Sequence, residues 1–247
     1  MNQALASPEH IERWTMLMEG ARPEQFTIDR VWQRLLPAER LSAYHQTPPE
    51  GPWCLLELQR PYLADKGAHA PAPAASSNVK PSVIASYQRP SLFVQSEDAR
   101  IKAKAVEVVG QETQAWPRVT ALSHWVFSTI TKQLTVGMSS AVDILATPVG
   151  DCHEHTILFT ALARSLGVPT RMIAGLVYWQ GRLYYHAWPE VWVEGQWIPT
   201  DPTFDQPVAD ATHVALVEAE GDHLSSLAQF VGKLRVRVLE VKVSDTF

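Results

Sequence analysis

The hydrophobic period of the chain changes near residue 170, and this change constrains the fold more than any other feature. Between residues 96 and 167 the apolar side chains recur at helical spacing, as Leu158 and Leu162 do. After Thr170, the segments "RMIAGLVYW", "RLYYHAWPEVWV" and "QWIPT" are rich in β-branched and aromatic residues, which is typical of strands. Helices followed by antiparallel strands predict an α+β fold in which the helices pack on the sheet.

Two-residue turns are predicted at Gln180-Gly181 and Glu194-Gly195. The second turn would place His186 opposite Thr203 and Trp188 opposite Asp201. His186 and Asp201 are then diagonal neighbours on one face, with backbones about 7–8 Å apart. An imidazole and a carboxylate can close that gap with a hydrogen bond.

Pro189 complicates this register. It has no N–H for the ladder, so we expect its strand to lie at a sheet edge or to bulge there. A bulge would change the pairing, although the two side chains would still be able to meet.

Residues 1–90 are predicted to be an N-terminal extension of a domain that spans residues 91–247. The extension includes an Ala-, Pro- and Ser-rich connector at about residues 64–82. Its segment "SPEHIERWTMLMEG" predicts a short helix with Ser7 as N-cap and Pro8 at the first helical position. The segment "PWCLLELQRPYL" predicts a strand.

The composition excludes several partners. The net charge of −5 and pI near 6.0 give no reason to expect nucleic acid or an anionic membrane surface. No apolar run approaches the roughly 20 residues that a membrane span requires. The N-terminus lacks the basic start and apolar stretch of a secretory signal. We therefore expect a cytoplasmic protein, or a periplasmic or exported one if a leader has been removed.

The two cysteines differ in their surroundings. Cys54 lies in an apolar segment and is expected to be a small buried hydrophobe. Cys152 follows Gly150-Asp151 at the predicted start of a helix, where unpaired N–H groups and the helix dipole favour an anion. That position favours the thiolate, which is the attacking form of a cysteine. The alternative, a buried structural thiol, fits poorly with the polar neighbours.

A nucleophilic thiol needs partners, and His186 and Asp201 are the candidates. An imidazole beside the thiol accepts its proton and later protonates a leaving group. A carboxylate behind the imidazole orients it and stabilises its charged form. The alternatives are a histidine satisfied inside the sheet and an Asp-Pro turn. Whether the helix and the hairpin meet is left open by these patterns.

Three further residues are candidates for the substrate site. Trp188 shares a face with His186 and would wall a groove for substrate. Glu154 and His155 would line the pocket, support the three central residues, or merely cap the helix.

Metal and cofactor sites are not expected. The ligand types of a zinc site are present around Cys152, but neither CxxC nor HExxH spacing occurs. His153 and His155 are two residues apart at a helix start, so they do not face the same way. We expect no metal, no organic cofactor and no calcium dependence.

The phrases "GDCHEHTILFTALARSLGVPTR" and "YYHAWPEVWVEGQWIPTDPT", in this order, resemble the transglutaminase-like superfamily in its bacterial branch. The resemblance is firm from about Ser140 to Gln206, extends plausibly over residues 91–243, and is not recognisable over the first ninety residues. It departs from the family pattern at Pro189 and in the polar cluster after Cys152.

The resemblance implies a papain-like core with Cys152 as nucleophile, His186 as base and Asp201 as the residue that orients it. It implies acyl chemistry at an amide through a thioester, by hydrolysis or by transfer to an amine, on a peptide or protein substrate. Backbone N–H groups at the helix start would bind the oxyanion, with Trp116 and Trp125 as candidate aromatic partners. The competing hypothesis is a catalytically silent domain that binds a peptide or protein.

Overall fold

The structure is a computed structural model that describes residues 1–26, 31–61, 79–135, 137–219 and 227–244. Its helices are α1 Pro81–Ser86, α2 Ala99–Val109, α3 Ala115–Thr129, α4 Ala141–Ala146 and α5 Cys152–Ser165. Its strands are β1 Ile11–Glu19, β2 Gln33–Leu36, β3 Trp53–Gln59, β4 Thr131–Lys132, β5 Val149–Gly150, β6 Thr170–Trp179, β7 Arg182–Val193, β8 Gln196–Pro199, β9 Val214–Glu218 and β10 Arg235–Val243.

One antiparallel sheet has the order β8-β7-β6-β9, and α5 packs against it. Helix α5 is buried without a break from Glu154 to Arg164, because α2, α3 and α4 cover the sides that the sheet leaves open. The apolar residues of these helices form one core with Met172, Val191 and Ile198 of the sheet. The predicted α+β fold, with helices packed on an antiparallel sheet, is confirmed.

Both predicted hairpin turns are confirmed. Their central residues have positive φ, 47° and 87° at Gln180-Gly181 and 53° and 80° at Glu194-Gly195, as the turn type that matches strand twist requires. The predicted register holds from Glu190 opposite Pro199 to the turn. Beyond Pro199 the β8 strand ends, so the ladder never reaches His186.

The expectation of an edge strand or a bulge at Pro189 is wrong. Strand β7 lies between β6 and β8, and its pairing with β6 is regular through Pro189 opposite Met172. The carbonyl of Pro189 accepts from the N–H of Thr200 at 2.9 Å, just past the last residue of β8. Position 189 therefore lacks an N–H only on the side where β8 has ended, so the sheet loses few hydrogen bonds.

A second antiparallel sheet has the order β10-β1-β3-β2. The helix predicted from Ser7 onward is wrong: Pro8–His10 form one 3-10 turn, and β1 follows directly. Strand β1 pairs with β10 on one side and β3 on the other, and most of its side chains are buried. Because both faces are covered, its apolar run lacks the alternation that identifies a strand. The strand predicted in "PWCLLELQRPYL" is confirmed as β3, and Cys54 is buried within it.

The pairing of β1 with β10 puts strands from both ends of the chain into one sheet. The division of the chain at residue 90 stays a prediction. Most of the predicted connector at residues 64–82 lies outside the described residues, and its last part begins α1.

The two sheets are joined by buried hydrogen bonds near the start of β9. The indole Nε1 of Trp14 donates to the carbonyl of Ala211 at 2.6 Å. The side-chain amide of Gln33 pairs with both backbone groups of Ala215, each at 2.8 Å. The second sheet thus anchors the segment that leads into β9. None of the helices in the described residues has the length and apolarity needed to cross a bilayer.

We expect Gln33→Met to lower the free energy of unfolding by about 2 kcal/mol or more, because it leaves a buried N–H and a buried C=O of Ala215 unpaired. Urea unfolding followed by tryptophan fluorescence measures the difference. Gln111→Met, at an exposed position after α2, is the control and should change stability little. Equal stability of the two variants would contradict the anchoring role of Gln33.

Candidate active site

Cys152 is the first residue of α5, and a reciprocal cap holds it there. The Asp151 carboxylate accepts from the N–H of His153, and the Glu154 carboxylate accepts from the N–H of Asp151, both at 2.9 Å. The thiol is half-buried, so it is open to a reagent. The N–H groups of this first turn have no acceptor within the helix, which makes the turn suited to hold negative charge beside the sulfur.

Gly150 allows this cap to form. A Cβ at position 150 would lie 2.4 Å from the Cβ and Cγ atoms of Glu154, closer than two carbon atoms can approach. The glycine ahead of the cysteine is therefore required by the packing of the capping glutamate.

The structure brings Cys152, His186 and Asp201 together. Nε2 of His186 lies 2.7 Å from Oδ2 of Asp201, and the same imidazole is hydrogen-bonded to the Cys152 thiol. Since Nε2 faces the carboxylate, Nδ1 is the nitrogen that remains for the sulfur. His186 reaches this position from β7, and Asp201 from the loop just after β8.

Asp201 is fully buried and receives three hydrogen bonds. Its Oδ1 accepts from the N–H of Thr203 at 2.7 Å. Its Oδ2 faces His186 and also Nε2 of His213, at 3.0 Å. A carboxylate out of contact with water keeps its charge only when such donors surround it.

His213 is the residue that the sequence reasoning missed. It immediately precedes β9 and is fully buried, with its Nδ1 3.3 Å from both the carbonyl oxygen and Oδ1 of Asp210. The signal available in the sequence was the short phrase "DATH", an acidic residue three positions before a histidine. Nothing in that phrase indicates that the loop folds back against Asp201.

Charge pairing shifts the pKa values of this cluster. Burial alone would lower the pKa of His186, but the charges and hydrogen bonds of Asp201 and Cys152 outweigh it and raise the pKa to about 10. Burial likewise opposes the imidazolium of His213, and the two carboxylates raise its pKa to about 9. Burial would raise the pKa of Asp201, yet the two imidazoles hold it well below its usual range.

The three other predicted site residues are all buried. Trp188 stacks on His186 with ring centroids 6.0 Å apart and meets His213 edge-on at 5.1 Å, so it contacts the two imidazoles. His155 points Nδ1 at the carbonyl oxygen of Asp151 at 2.6 Å, and burial lowers its pKa. Glu154 accepts from the Thr135 hydroxyl as well as from the cap, and it lines the cleft described next.

A cleft of about 200 Å³ lies beside the thiol. Cys152, His186 and Thr135 contribute polar atoms to it, while Met138, Tyr185 and Leu227 contribute apolar surface. The described residues that line the cleft do not include Trp188, His155, Trp116 or Trp125. Trp116 and Trp125 instead pack against the core of the helices.

His186, Asp201 and His213 are also of the types that bind metal ions, and their ligand atoms lie within 4.8 Å of one another. Both imidazoles already face the same carboxylate oxygen at hydrogen-bond distance. A cation would have to replace both bonds, so we describe the group as hydrogen-bonded.

Residues 102–202 match the model of the transglutaminase-like superfamily. Over these residues the chain is similar to that superfamily. The predicted resemblance is thereby confirmed, and the matched segment contains Cys152, His186 and Asp201, while His213 lies beyond its end. A search of curated proteins finds no significant match to the sequence.

Two solved structures are similar to the chain. A candidate cysteine protease from Cytophaga hutchinsonii is 15% identical with a TM-score of 0.57, over 95% of this chain and 86% of the other. The periplasmic domain of TgpA from Pseudomonas aeruginosa is 18% identical with a TM-score of 0.46, over 83% and 94%. The first of these shows that the shared fold extends beyond the matched segment.

The raised pKa values predict how stability depends on pH. A histidine whose folded pKa exceeds its unfolded value of about 6.5 contributes stability that is complete below that value. For His213 this contribution is lost as pH rises toward about 9. We therefore expect the free energy of unfolding to fall between about pH 6.5 and 9, and His213→Gln to flatten that slope.

Urea unfolding at several pH values measures the slope. His124→Gln, which changes an exposed histidine on α3, is the control and should keep the slope of the unchanged protein. A slope that His213→Gln leaves intact would show that His213 gains no proton affinity on folding.

Proposed function

We propose that this chain is a cysteine-dependent enzyme that performs acyl chemistry at an amide of a peptide or protein through a thioester. Cys152 is the nucleophile, His186 the acid and base, and Asp201 the group that orients His186. One observation carries the proposal: an accessible thiol at a helix start is hydrogen-bonded to an imidazole that a buried carboxylate holds from behind. Those are the parts that thiol catalysis requires.

The first half of the reaction forms the thioester. The Cys152 thiolate attacks the amide carbonyl carbon, and a C–S bond forms while the carbonyl oxygen becomes an oxyanion. N–H groups of the first turn of α5, including that of Cys152, would stabilise that oxyanion. The His186 imidazolium donates its proton to the amide nitrogen, the C–N bond breaks, and ammonia or an amine leaves.

The second half of the reaction releases the acyl group. Neutral His186 takes a proton from water or from an acceptor amine, whose oxygen or nitrogen attacks the thioester carbonyl. The C–S bond breaks, the sulfur leaves as thiolate, and the product is a carboxylic acid or a new amide. His186 holds the proton again, so the ion pair is restored.

The cleft supports a substrate that presents both polar and apolar groups. Its lining includes the largely apolar side chains of Tyr185, Met138 and Leu227 and the hydroxyl-bearing side chain of Thr135. A volume of about 200 Å³ suits one side chain rather than a whole peptide. We propose that this cleft receives the residue whose amide is attacked, while the rest of the substrate lies outside.

The second candidate is a silent domain that keeps the fold and binds a partner. An inert relative would most readily have lost one member of the catalytic group, but Cys152, His186 and Asp201 are all present and in hydrogen-bonding contact. A zinc hydrolase, the third candidate, would contain stoichiometric metal by elemental analysis and would lose activity to chelators.

Thiol alkylation separates these candidates. We expect iodoacetamide to modify Cys152 well below about pH 8 and far faster than Cys54. Cys54 is buried, and burial raises its pKa to about 12. His186→Ala should slow the modification of Cys152 markedly at these pH values, because the thiolate then loses its imidazolium.

Peptide mass spectrometry after timed alkylation measures both sites in one sample. His124→Ala serves as a matched control at an exposed histidine and should keep the fast modification of Cys152. Slow and equal alkylation of both cysteines would refute the proposed enzyme.

A further inference from the structure

His213 and Asp210 extend the proposed catalytic group behind Asp201. The hydrogen-bonded series runs from Cys152 through His186 and Asp201 to His213 and Asp210. We call these residues the five-residue series. The last two members are both strongly buried, and the acyl chemistry described above assigns no step to either of them.

Geometry determines the proton count on His213. A neutral imidazole has one N–H donor and one acceptor nitrogen. Nε2 of His213 faces the Asp201 carboxylate, and Nδ1 faces only oxygen acceptors of Asp210. A nitrogen without a proton would point its lone pair at an oxygen lone pair, which is unfavourable, so both nitrogens carry protons and His213 is an imidazolium. Its pKa, raised to about 9, agrees.

The loop that carries His213 is closed on itself. Gln206 exchanges two backbone hydrogen bonds with Asp201, at 2.8 and 2.9 Å. The Gln206 side chain exchanges two more with Asp210, both at 3.0 Å, and Asp210 also accepts from the N–H and hydroxyl of Thr212. His213 contacts both Asp210 and Asp201, so these hydrogen bonds form a closed ring. A loop braced in this way holds the imidazolium at a constant distance from the carboxylate.

The second sheet supports the same loop from behind. Trp14 holds the carbonyl of Ala211, two residues before His213, and Gln33 holds both backbone groups of Ala215, two residues after it. The N-terminal strands therefore contribute to the site although none of their described residues lines the cleft.

We propose that His213 is a positioning residue for the catalytic group. Its imidazolium is held by Asp210 and the second sheet, and it donates to the same oxygen of Asp201 that faces His186. In this way it sets the pH range in which Cys152 and His186 form an ion pair. This inference rests on the proposed function. The sign follows from charge. A cation behind Asp201 stabilises negative charge on the Cys152 sulfur and opposes positive charge on the His186 ring.

The other charged and titratable groups near the series lie on α5, on β4 and at the residue that precedes α5. His155 on α5 interacts electrostatically with Asp201, and Lys132 of β4 interacts with His155. Asp151 contacts His155 through its backbone carbonyl. Trp188 and Phe204 flank the His186 ring with apolar surface, so the charge of His213 acts on His186 through buried side chains.

The test compares the pH profile of Cys152 alkylation in His213→Gln with that of the otherwise unchanged chain, both carrying Cys54→Ala. Glutamine keeps an N–H donor but no charge. We expect the rise in alkylation rate to move to higher pH by about half a unit or more. A role limited to structure would reduce the amount of active protein and leave the position of the rise unchanged.

Asp205→Asn is the matched control. Asp205 lies on the same loop but pairs with His124 on α3, outside the five-residue series, and its positive φ of 55° is one that asparagine accepts. This variant should keep the profile of the unchanged chain. If His213→Gln gives that same profile, the positioning role is refuted. If Cys152 is no more reactive than Cys54 in the chain that keeps both cysteines, it is the proposed function that fails.

A measurement without any substitution at His213 covers the case in which that variant does not fold. Nitrogen-15 NMR of the histidine side chains, with His213 assigned from its contacts to the Trp188 ring, reports the protons on each nitrogen. We expect both nitrogens of His213 to be protonated at about pH 7.5, because the two carboxylates raise its pKa to about 9. A singly protonated ring at that pH overturns the inference.

Discussion

The buried carboxylate of Asp201 is the interaction on which the rest of the site depends. A carboxylate with no exposed surface is unfavourable unless donors and positive charge surround it. Thr203, His186 and His213 provide three hydrogen bonds, so Asp201 remains ionised inside the protein. Its charge in turn keeps a proton on His186 beside the thiol. Removing any one donor would leave the carboxylate or an imidazole incompletely paired in a region that excludes water.

This requirement explains why segments far apart in the chain must meet. The helix start at Cys152, the strand that carries His186 and the loop that carries Asp201 belong to the matched core, but His213 lies outside it. The His213 loop is held by two residues of the N-terminal sheet, Trp14 and Gln33. Strands β1 and β2 thus contact a loop of the candidate site, and β10 pairs with β1 from the other end of the chain.

Much of the core could be predicted because its signals are local. The two glycine-containing turns determined the register near them, and the change of hydrophobic period located the boundary between α5 and the sheet. The cap at Asp151 and Glu154 follows from residues three positions apart on one helix turn. In contrast, the sequence pattern of β1 does not identify it as a strand, because β1 is covered on both faces and its partners β3 and β10 are remote in sequence.

The sequence by itself determined the order of helices and strands in the core, the capped helix start at Cys152, and the three residue types that thiol chemistry needs. Only the tertiary structure decided that His213 completes the surroundings of Asp201, that Trp188 packs on two imidazoles, and that the N-terminal strands brace the site. The physical reason is range. Turns, caps and hydrophobic periods act over a few residues, whereas the pairing of a buried charge depends on which distant segments the closed fold brings into contact.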